Sequence, residues 1–432
     1  MKERLREIFL ETIQELRIDQ VMRFAIRCEG GVLKFGQESI DLSQFKKVIV
    51  LSIGKAAGRM AEEFVSIAAP QRVSGIVVSS VPTTNAPPYF VRYIGGHPYP
   101  NKDSFHSAAV VQELVRDLDA DHLVIYLLSG GGSAVCESPI DDSISFDDAH
   151  AFFRLLVTCG ADIVEINTLR KHFSSIKGGR LAALAYPARQ ATLYISDVPE
   201  GQDSSVASGP TMPDPSTIED CYRIAKERDL EERLPPPIRR MFDEHAISET
   251  PKPGDEHFET SSYHCLLSNS AAVAAIQRRA EQAGWQVEVD LSVDDLPVAD
   301  AADRLLARLE KLRAGDPSRP AAVITGGELS CPVLGDGQGG RNQAFVLDCV
   351  PKIAGRNIAV ISAGTDGIDG NSPAAGSIAD GQTLARAKQA GMAVEDYYLR
   401  SDSYNFFRTL GDALETGPTE NNVRDIRLLT AW

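Results

Sequence analysis

Residues 123–133 read Leu-Val-Ile-Tyr-Leu-Leu-Ser-Gly-Gly-Gly-Ser. An unbroken apolar run stops at a cluster of glycine and serine. A strand with one wet face would alternate apolar and polar residues. A continuous run suits a strand buried on both faces, as in a layered α/β sheet. The same pattern recurs. Val48–Ile53 runs into Gly54-Lys55, and Thr192–Ser196 into Asp197-Val198-Pro199. Ala321–Ile324 runs into Thr325-Gly326-Gly327-Glu328, and Ile358–Ser362 into Ala363-Gly364-Thr365-Asp366-Gly367. Helical patterns usually follow these loops. In open α/β sheets ligands sit beyond the carboxyl ends of the strands. Function is therefore expected in these loops.

The chain has 432 residues, more than one compact core accommodates, so two domains are expected. Its formal net charge of −16 leaves no broad basic surface for nucleic acid or an anionic membrane. A small anionic ligand would instead need local cations. The seven cysteines are odd in number and include no C-x-x-C pair, which points to free thiols in a reducing, cytoplasmic setting. Residues 1–19 carry charges throughout. Leu5, Ile8, Phe9, Ile13 and Leu16 recur at helical spacing, so the segment reads as an amphipathic helix and not a signal peptide. No apolar run approaches the ~18 residues of a membrane span. Pro235-Pro236-Pro237 and the polar stretch 248–259 read as an interdomain linker.

Several loops hold candidate chemistry. Lys55 lies between a strand and a helix, where a cation and free N–H groups suit an anion, although a surface lysine looks the same. Ile49 and Ala56 exclude a Walker A loop. Ser129, Gly130, Gly131, Gly132 and Ser133 can form an N–H nest for phosphate or carboxylate, or a tight turn. Residues 167–182 hold Arg170, Lys171, His172, Lys177 and Arg180, dense for an acidic chain. Lys171 is expected on a solvated helix face. Asp197 directly follows a strand and opens a long loop; it can hold Mg²⁺ or act as a base towards an alcohol. Asp366 and Asp369 can form Asx turns or meet a metal or ribose.

Residues 335–343, GDGQGGRNQ, match G-x-G-x-x-G. A dinucleotide loop needs a strand before it, a helix after it and an acid ~20 residues on. A helix can follow, but the preceding segment 328–334 contains Pro332 and reads as an edge strand, hairpin-paired with Ala321–Ile324. Arg341 at the helix start is the stronger clue, because a guanidinium binds carboxylate or phosphate in bidentate fashion.

The segments SIGKAA, GGHPYP, LLSGGGSA, INTLRKHFSSIKGGRLA, SDVP…ASGPT, TGGE, GQGGRNQ, AGTDGIDG and SYNFFRTLGDALETGPTENNVRDI occur in this order. Together they resemble the two-domain glycerate kinases, whose C-terminal part is the MOFRL domain. The resemblance runs from about residue 5 to 430. It implies a Rossmann-like three-layer α/β domain over 1–246 and a second α/β region over 258–432. The MOFRL domain would occupy about 320–425, with the active site in the interdomain cleft. It also implies transfer of the ATP γ-phosphate to D-glycerate, giving 2-phosphoglycerate, with Mg²⁺.

The family's key lysine, aspartate and arginine fall on Lys55, Asp197 and Arg341. Substrate and phosphate binding is expected at residues 129–133, Arg170, Lys177, Glu328 and Asn342. Nucleotide binding is expected at Gly337, Gly339, Gly340, Thr365, Asp366 and Gly367, and metal binding at Asp197 and Asp203. The chain departs from the family at Glu200-Gly201-Gln202-Asp203, at Pro373 and at Ser268-Asn269-Ser270. The rivals are an NAD(P)H-dependent hydroxypyruvate reductase, a kinase for a related small hydroxy acid, and a non-catalytic sensor of sugar acids.

Overall fold

A computed structural model describes residues 1–69 and 73–432. They form two compact units, 18–266 and 1–17 together with 267–432.

Unit 18–266 opens with a small antiparallel sheet: β1 (Ile26–Glu29), β2 (Val32–Phe35) and β3 (Glu38–Asp41). Its main sheet contains β4 (Lys47–Ile53), β5 (Val73–Ser79), β6 (Val91–Ile94), β7 (His122–Leu128), β8 (Arg189–Ile195) and β9 (Ser261–Leu267). The order is β6-β5-β4-β7-β8-β9, and the pairings from β6 to β8 are all parallel. β4 and β7 are central and have buried residues along nearly their whole length, as their continuous apolar runs require. Ile49, Leu51, Val124, Tyr126 and Leu128 share a core with Val111 and Val115 of helix Lys102–Arg116 and Leu181 of helix Arg180–Ala185. The capping box of Asn101 and Ser104 starts the first of these helices.

A second cluster in this unit is helical. Phe152, Phe173, Ile224, Ile238 and Phe242 pack together. Pro235–Pro237 is therefore no linker: the segment Pro236–Asp243 is a helix, with proline in its first turn where a missing N–H costs nothing. Phe242 stacks on Phe173 at 5.4 Å, which ties the helix into the core. The expected boundary near 246–258 is corrected to 266/267.

The other unit is also interrupted in sequence. Helix Lys2–Glu15 buries Leu5, Ile8, Phe9, Thr12 and Ile13, the face its periodicity marks, and packs on helix Asn269–Gln282. Its sheet contains β10 (Gln286–Val289), β11 (Ala321–Gly326), β12 (Ile358–Gly364), β13 (Gly376–Asp380), β14 (Ala413–Leu414) and β15 (Asp425–Ala431). The order is β10-β11-β15-β12-β13-β14, and only β10–β11 is parallel. β15 inserts antiparallel between β11 and β12. Its first residues thus meet their carboxyl ends: Gly326 faces Ile426, and Gly364 faces Asp425.

The hairpin expected between Ala321–Ile324 and 328–334 does not form. Gly327 turns the chain at φ +92°, and the Glu328 N–H donates to Asp294 at 2.8 Å. Ser330 then exchanges backbone hydrogen bonds with Leu296 and Val298. The loop before helix Val298–Gly315 has captured the segment's polar backbone groups, and β15 takes the place beside β11.

Candidate active site

Three strand ends of unit 18–266 meet at residues 129–133. The Lys55 N–H donates to the Gly130 carbonyl at 2.9 Å, and the Ala56 N–H to Ser129 Oγ at 3.1 Å. Gly131, at φ +81°, turns the chain into the short helix Gly132–Val135. A side chain on Gly130 would collide with the Asp197 carboxylate. A Cβ on Gly131 would lie 3.1 Å from Lys55 Cγ and 3.2 Å from His97 Cδ2. The glycines therefore let Lys55, His97 and Asp197 approach the turn. Ser133 Oγ is 2.7 Å from Ser208 Oγ, and Ser208 donates to Asn167 Oδ1 at 3.0 Å, which anchors the loop after β8.

Arg170, in helix Ile163–His172, lays its guanidinium over the Phe153 ring at 4.9 Å. Burial pulls its pKa down to about 10, against the attraction of Glu137. Its buried Nε has no hydrogen-bond partner. Among the described residues, no carboxylate lies within salt-bridge distance of Lys55 or Arg170, and His97 makes no hydrogen bond. Burial, then the charges of Lys55 and Arg170, hold the His97 imidazole below its ordinary pKa.

Lys177 is placed differently. Its side chain is 1% exposed and its ammonium is bound to buried Glu137. Burial lowers its pKa while Glu137 opposes the shift. The pair stands beneath Arg170, with Lys177 Nζ 5.1 Å from the same Phe153 ring. Lys171 is also buried, 3.0 Å from Asp214, which corrects the solvated face expected for it. Asp203 begins the 3-10 segment Asp203–Ser208 and shares a hydrogen bond with Tyr194.

In the other unit Arg341 opens helix Arg341–Lys352. Its Nε lies 2.6 Å from Asp425, and its Nη2 lies 2.8 Å from Glu328. Burial opposes its charge, but these carboxylates outweigh burial and raise its pKa. Asp425 also accepts from fully buried Arg427 at 3.1 Å. Asn342 is buried and accepts from Ser362 at 2.6 Å. Asp369 caps the helix from another loop: its carboxylate accepts from the Asn342 N–H at 3.1 Å and the Gln343 N–H at 2.8 Å. Burial pushes its pKa up to about 7 despite those donors.

The glycine loop before Arg341 has committed its donors too. The Gly337 N–H bonds the Arg400 carbonyl at 2.9 Å, the Gln338 N–H bonds Asp402 at 3.0 Å, and the Gly339 N–H bonds Asn371 at 2.8 Å. Among the described residues no strand leads into this loop. Gly340 has no side chain because one would collide with Asp369. Thr365 bonds the Arg424 carbonyl at 2.8 Å, and Gly367 presses against the Gly417 carbonyl. A pocket of about 520 Å³ is lined by this loop, Arg341, Asp366, Ile368, Tyr397 and Tyr398.

The structure thus gathers Lys55, residues 129–133, Arg170 and Asp197 in one unit. It gathers Glu328, Arg341 and Asn342 in the other. The sequence reading missed His97, Glu137, Asp294, Asp425 and Arg427. The GGHPYP and NNVRDI segments held two of them, His97 and Asp425, but no local spacing shows what they touch. Among the described residues no group of three or more His, Cys, Asp or Glu side chains could hold a metal ion, and no helix is long and apolar enough to cross a membrane.

Comparison with known proteins finds two matching families. Residues 4–243 match the family described as "Domain of unknown function (DUF4147)", and residues 321–425 match the MOFRL family. The chain is 33% identical to a D-glycerate 2-kinase of Thermotoga maritima over 90% of its own length and 92% of the relative's. It is also 33% identical to an Agrobacterium vitis protein named "Putative hydroxypyruvate reductase", over 89% of this chain and 87% of that one. The crystal structure of a glycerate kinase from Thermotoga maritima superposes with a TM-score of 0.86 at 31% identity, covering 100% of this chain and 99% of that one. The chain belongs to the two-domain glycerate kinase family.

Proposed function

We propose that the protein transfers the γ-phosphoryl group of ATP to D-glycerate, giving 2-phosphoglycerate. The observation that carries this reading is the convergence of Lys55 and Arg170, cations with no salt bridge among the described residues, with Asp197 at the turn 129–133. Phosphoryl transfer asks a protein chiefly to align reactants and neutralise charge. Lys55 and the turn are assigned to oxygens of the anionic substrates. Arg170 adds its charge from behind, and the Glu137–Lys177 pair positions it. The glycerate hydroxyl oxygen forms a bond to the γ-phosphorus as the bond to the ADP oxygen breaks. Asp197 takes the hydroxyl proton.

Arg341 is assigned to the glycerate carboxylate or the transferring phosphoryl group. Asp425 and Glu328 hold its Nε and Nη2, so the guanidinium is oriented in advance. Lys177, with its ammonium bound to Glu137, is reassigned from ligand binding to support. Gly337 and Gly339 are likewise reassigned to shaping a wall, because their N–H groups already have acceptors.

Mg²⁺ in such sites needs only one or two carboxylates, with phosphate and water completing its shell. Asp197 is one such candidate ligand, because its carboxylate lies against Gly130 of the turn assigned to phosphate, and Asp203 is the further candidate. Bound there, the ion would neutralise phosphate charge. Free thiols and acidic charge fit a cytoplasmic setting.

An ADP-release assay across D-glycerate, L-glycerate, tartronate and hydroxypyruvate, with NMR of the product, tests the reading. ADP release only with D-glycerate and Mg²⁺, and a 2-phosphorylated product, is the expected result. NADH oxidation with hydroxypyruvate and no ADP release would replace it with the reductase.

A further inference from the structure

The loop that carries His97 is clamped in place by two glycines. Gly95 lies so close to the Val135 backbone that a side chain there would collide, and its N–H donates to the Ser79 carbonyl at 2.9 Å. Gly96 packs equally closely on residues 99–101, and its N–H donates to Ser104 Oγ at 2.9 Å. Val135 ends the short helix that begins within the turn 129–133. The clamp therefore registers His97 against that turn, with its ring and the Lys55 stem on one side of Gly131.

Nothing in the protein explains this placement. His97 is exposed, makes no hydrogen bond among the described residues, and stands near two cations. An imidazole placed only for packing would be covered or bonded. One placed beside Lys55 with both ring nitrogens unused is available to an anion. The charged groups nearby are Lys55 and Arg170, with Asp197 beside neighbouring Gly130 and Glu137 beside Arg170.

We propose that His97 is a substrate-contacting residue that hydrogen-bonds an anionic oxygen held at Lys55 and the 129–133 turn. This rests on the reading of that turn as the substrate anion site. Partial burial of the ring and the two cations disfavour a proton on the free imidazole; a bound anion offsets the cations and favours it. Binding of an anion is then accompanied by proton uptake at His97.

D-glycerate and sulfate serve as probes, since neither titrates between pH 6 and 8. Calorimetry of the full chain, without nucleotide or metal, in buffers of differing ionisation enthalpy reads the uptake directly. Tighter binding at pH 6 than at pH 8 is expected, by up to about tenfold, the change carried by one unit of pKa displacement. His97→Asn should remove the uptake and flatten the KM for D-glycerate against pH, with a smaller change in kcat; His97→Gln serves if His97→Asn does not fold. Equal proton uptake in wild type and variant would overturn the proposal while leaving the kinase reading intact. Failure of both anions to bind would overturn it together with the anion site. ADP release that persists would then show that the kinase reading survives without that site.

Discussion

The two units hold their key cations in opposite states. In unit 18–266, Lys55 and Arg170 make no salt bridge among the described residues, although Glu137 attracts Arg170 from nearby. In the other unit, Arg341 is gripped by Asp425 and Glu328 before any ligand arrives. An unpaired cation keeps its charge for a substrate and adds little to stability. A paired guanidinium gives up part of that charge but gains orientation and supports the fold. One unit therefore presents charge and the other presents geometry.

Removing Arg341 should have the largest effect. Arg341→Ala is expected to lower turnover about 10³-fold or more, as loss of a charge-stabilising arginine does in phosphoryl transfer. It should also cost about 1–3 kcal/mol of stability, because buried Asp425 loses a charged hydrogen-bond donor. ADP release and urea melts read the two effects. A variant with normal turnover would break the comparison. Next, Glu137→Gln should destabilise by about 3–5 kcal/mol, since it leaves the Lys177 ammonium buried and unpaired. A urea midpoint unchanged from wild type would show that the pair contributes nothing. Lys55→Ala should lower turnover about 10²–10³-fold with no shift in the melt, because Lys55 has no internal partner to abandon. A fall in stability there would mean that its charge is not held in reserve.

The smallest effects concern acid. In unit 18–266, partial burial opposes ionisation of Glu249, but bonds from Lys252 and His172 and two backbone N–H groups bring its pKa to about 2. Its stabilisation is complete above its ordinary value of 4.5 and is lost as pH falls through 2. Glu249→Gln should flatten the acid limb of the stability curve in that window. Asp369, in the other unit, has the opposite sign. Its stabilising contribution is present below its ordinary 3.8 and is lost as pH rises through about 7. Asp369→Asn should remove that decline, as melts across pH 4 to 8 would show.

What could be read from sequence follows from the range of the forces. β4, β7, β8, β11 and β12 were legible because double-sided burial writes itself into consecutive residues. The amphipathic helix at 2–15 was legible by its period. Its partner was not, because an apolar face does not say which surface will cover it. β15 was hidden for the same reason, and with it the Arg341–Asp425 bridge. Lys55, Asp197 and Arg341 were picked out by type and place, yet no spacing distinguishes a free cation from a committed one. Lys171 was expected on a solvated face and Lys177 at the substrate, and only tertiary burial assigns each its acid.

The insertion of β15 also constrains how the chain reaches its fold. Val323 pairs with Leu429, and Val360 with the same Leu429 from the other side. β11 and β12 precede that strand in the chain, so each has an open, apolar edge until it arrives. Such non-local pairing slows folding, and exposed edges invite pairing with other chains. Aggregation during refolding should therefore begin at the edges of β11 and β12.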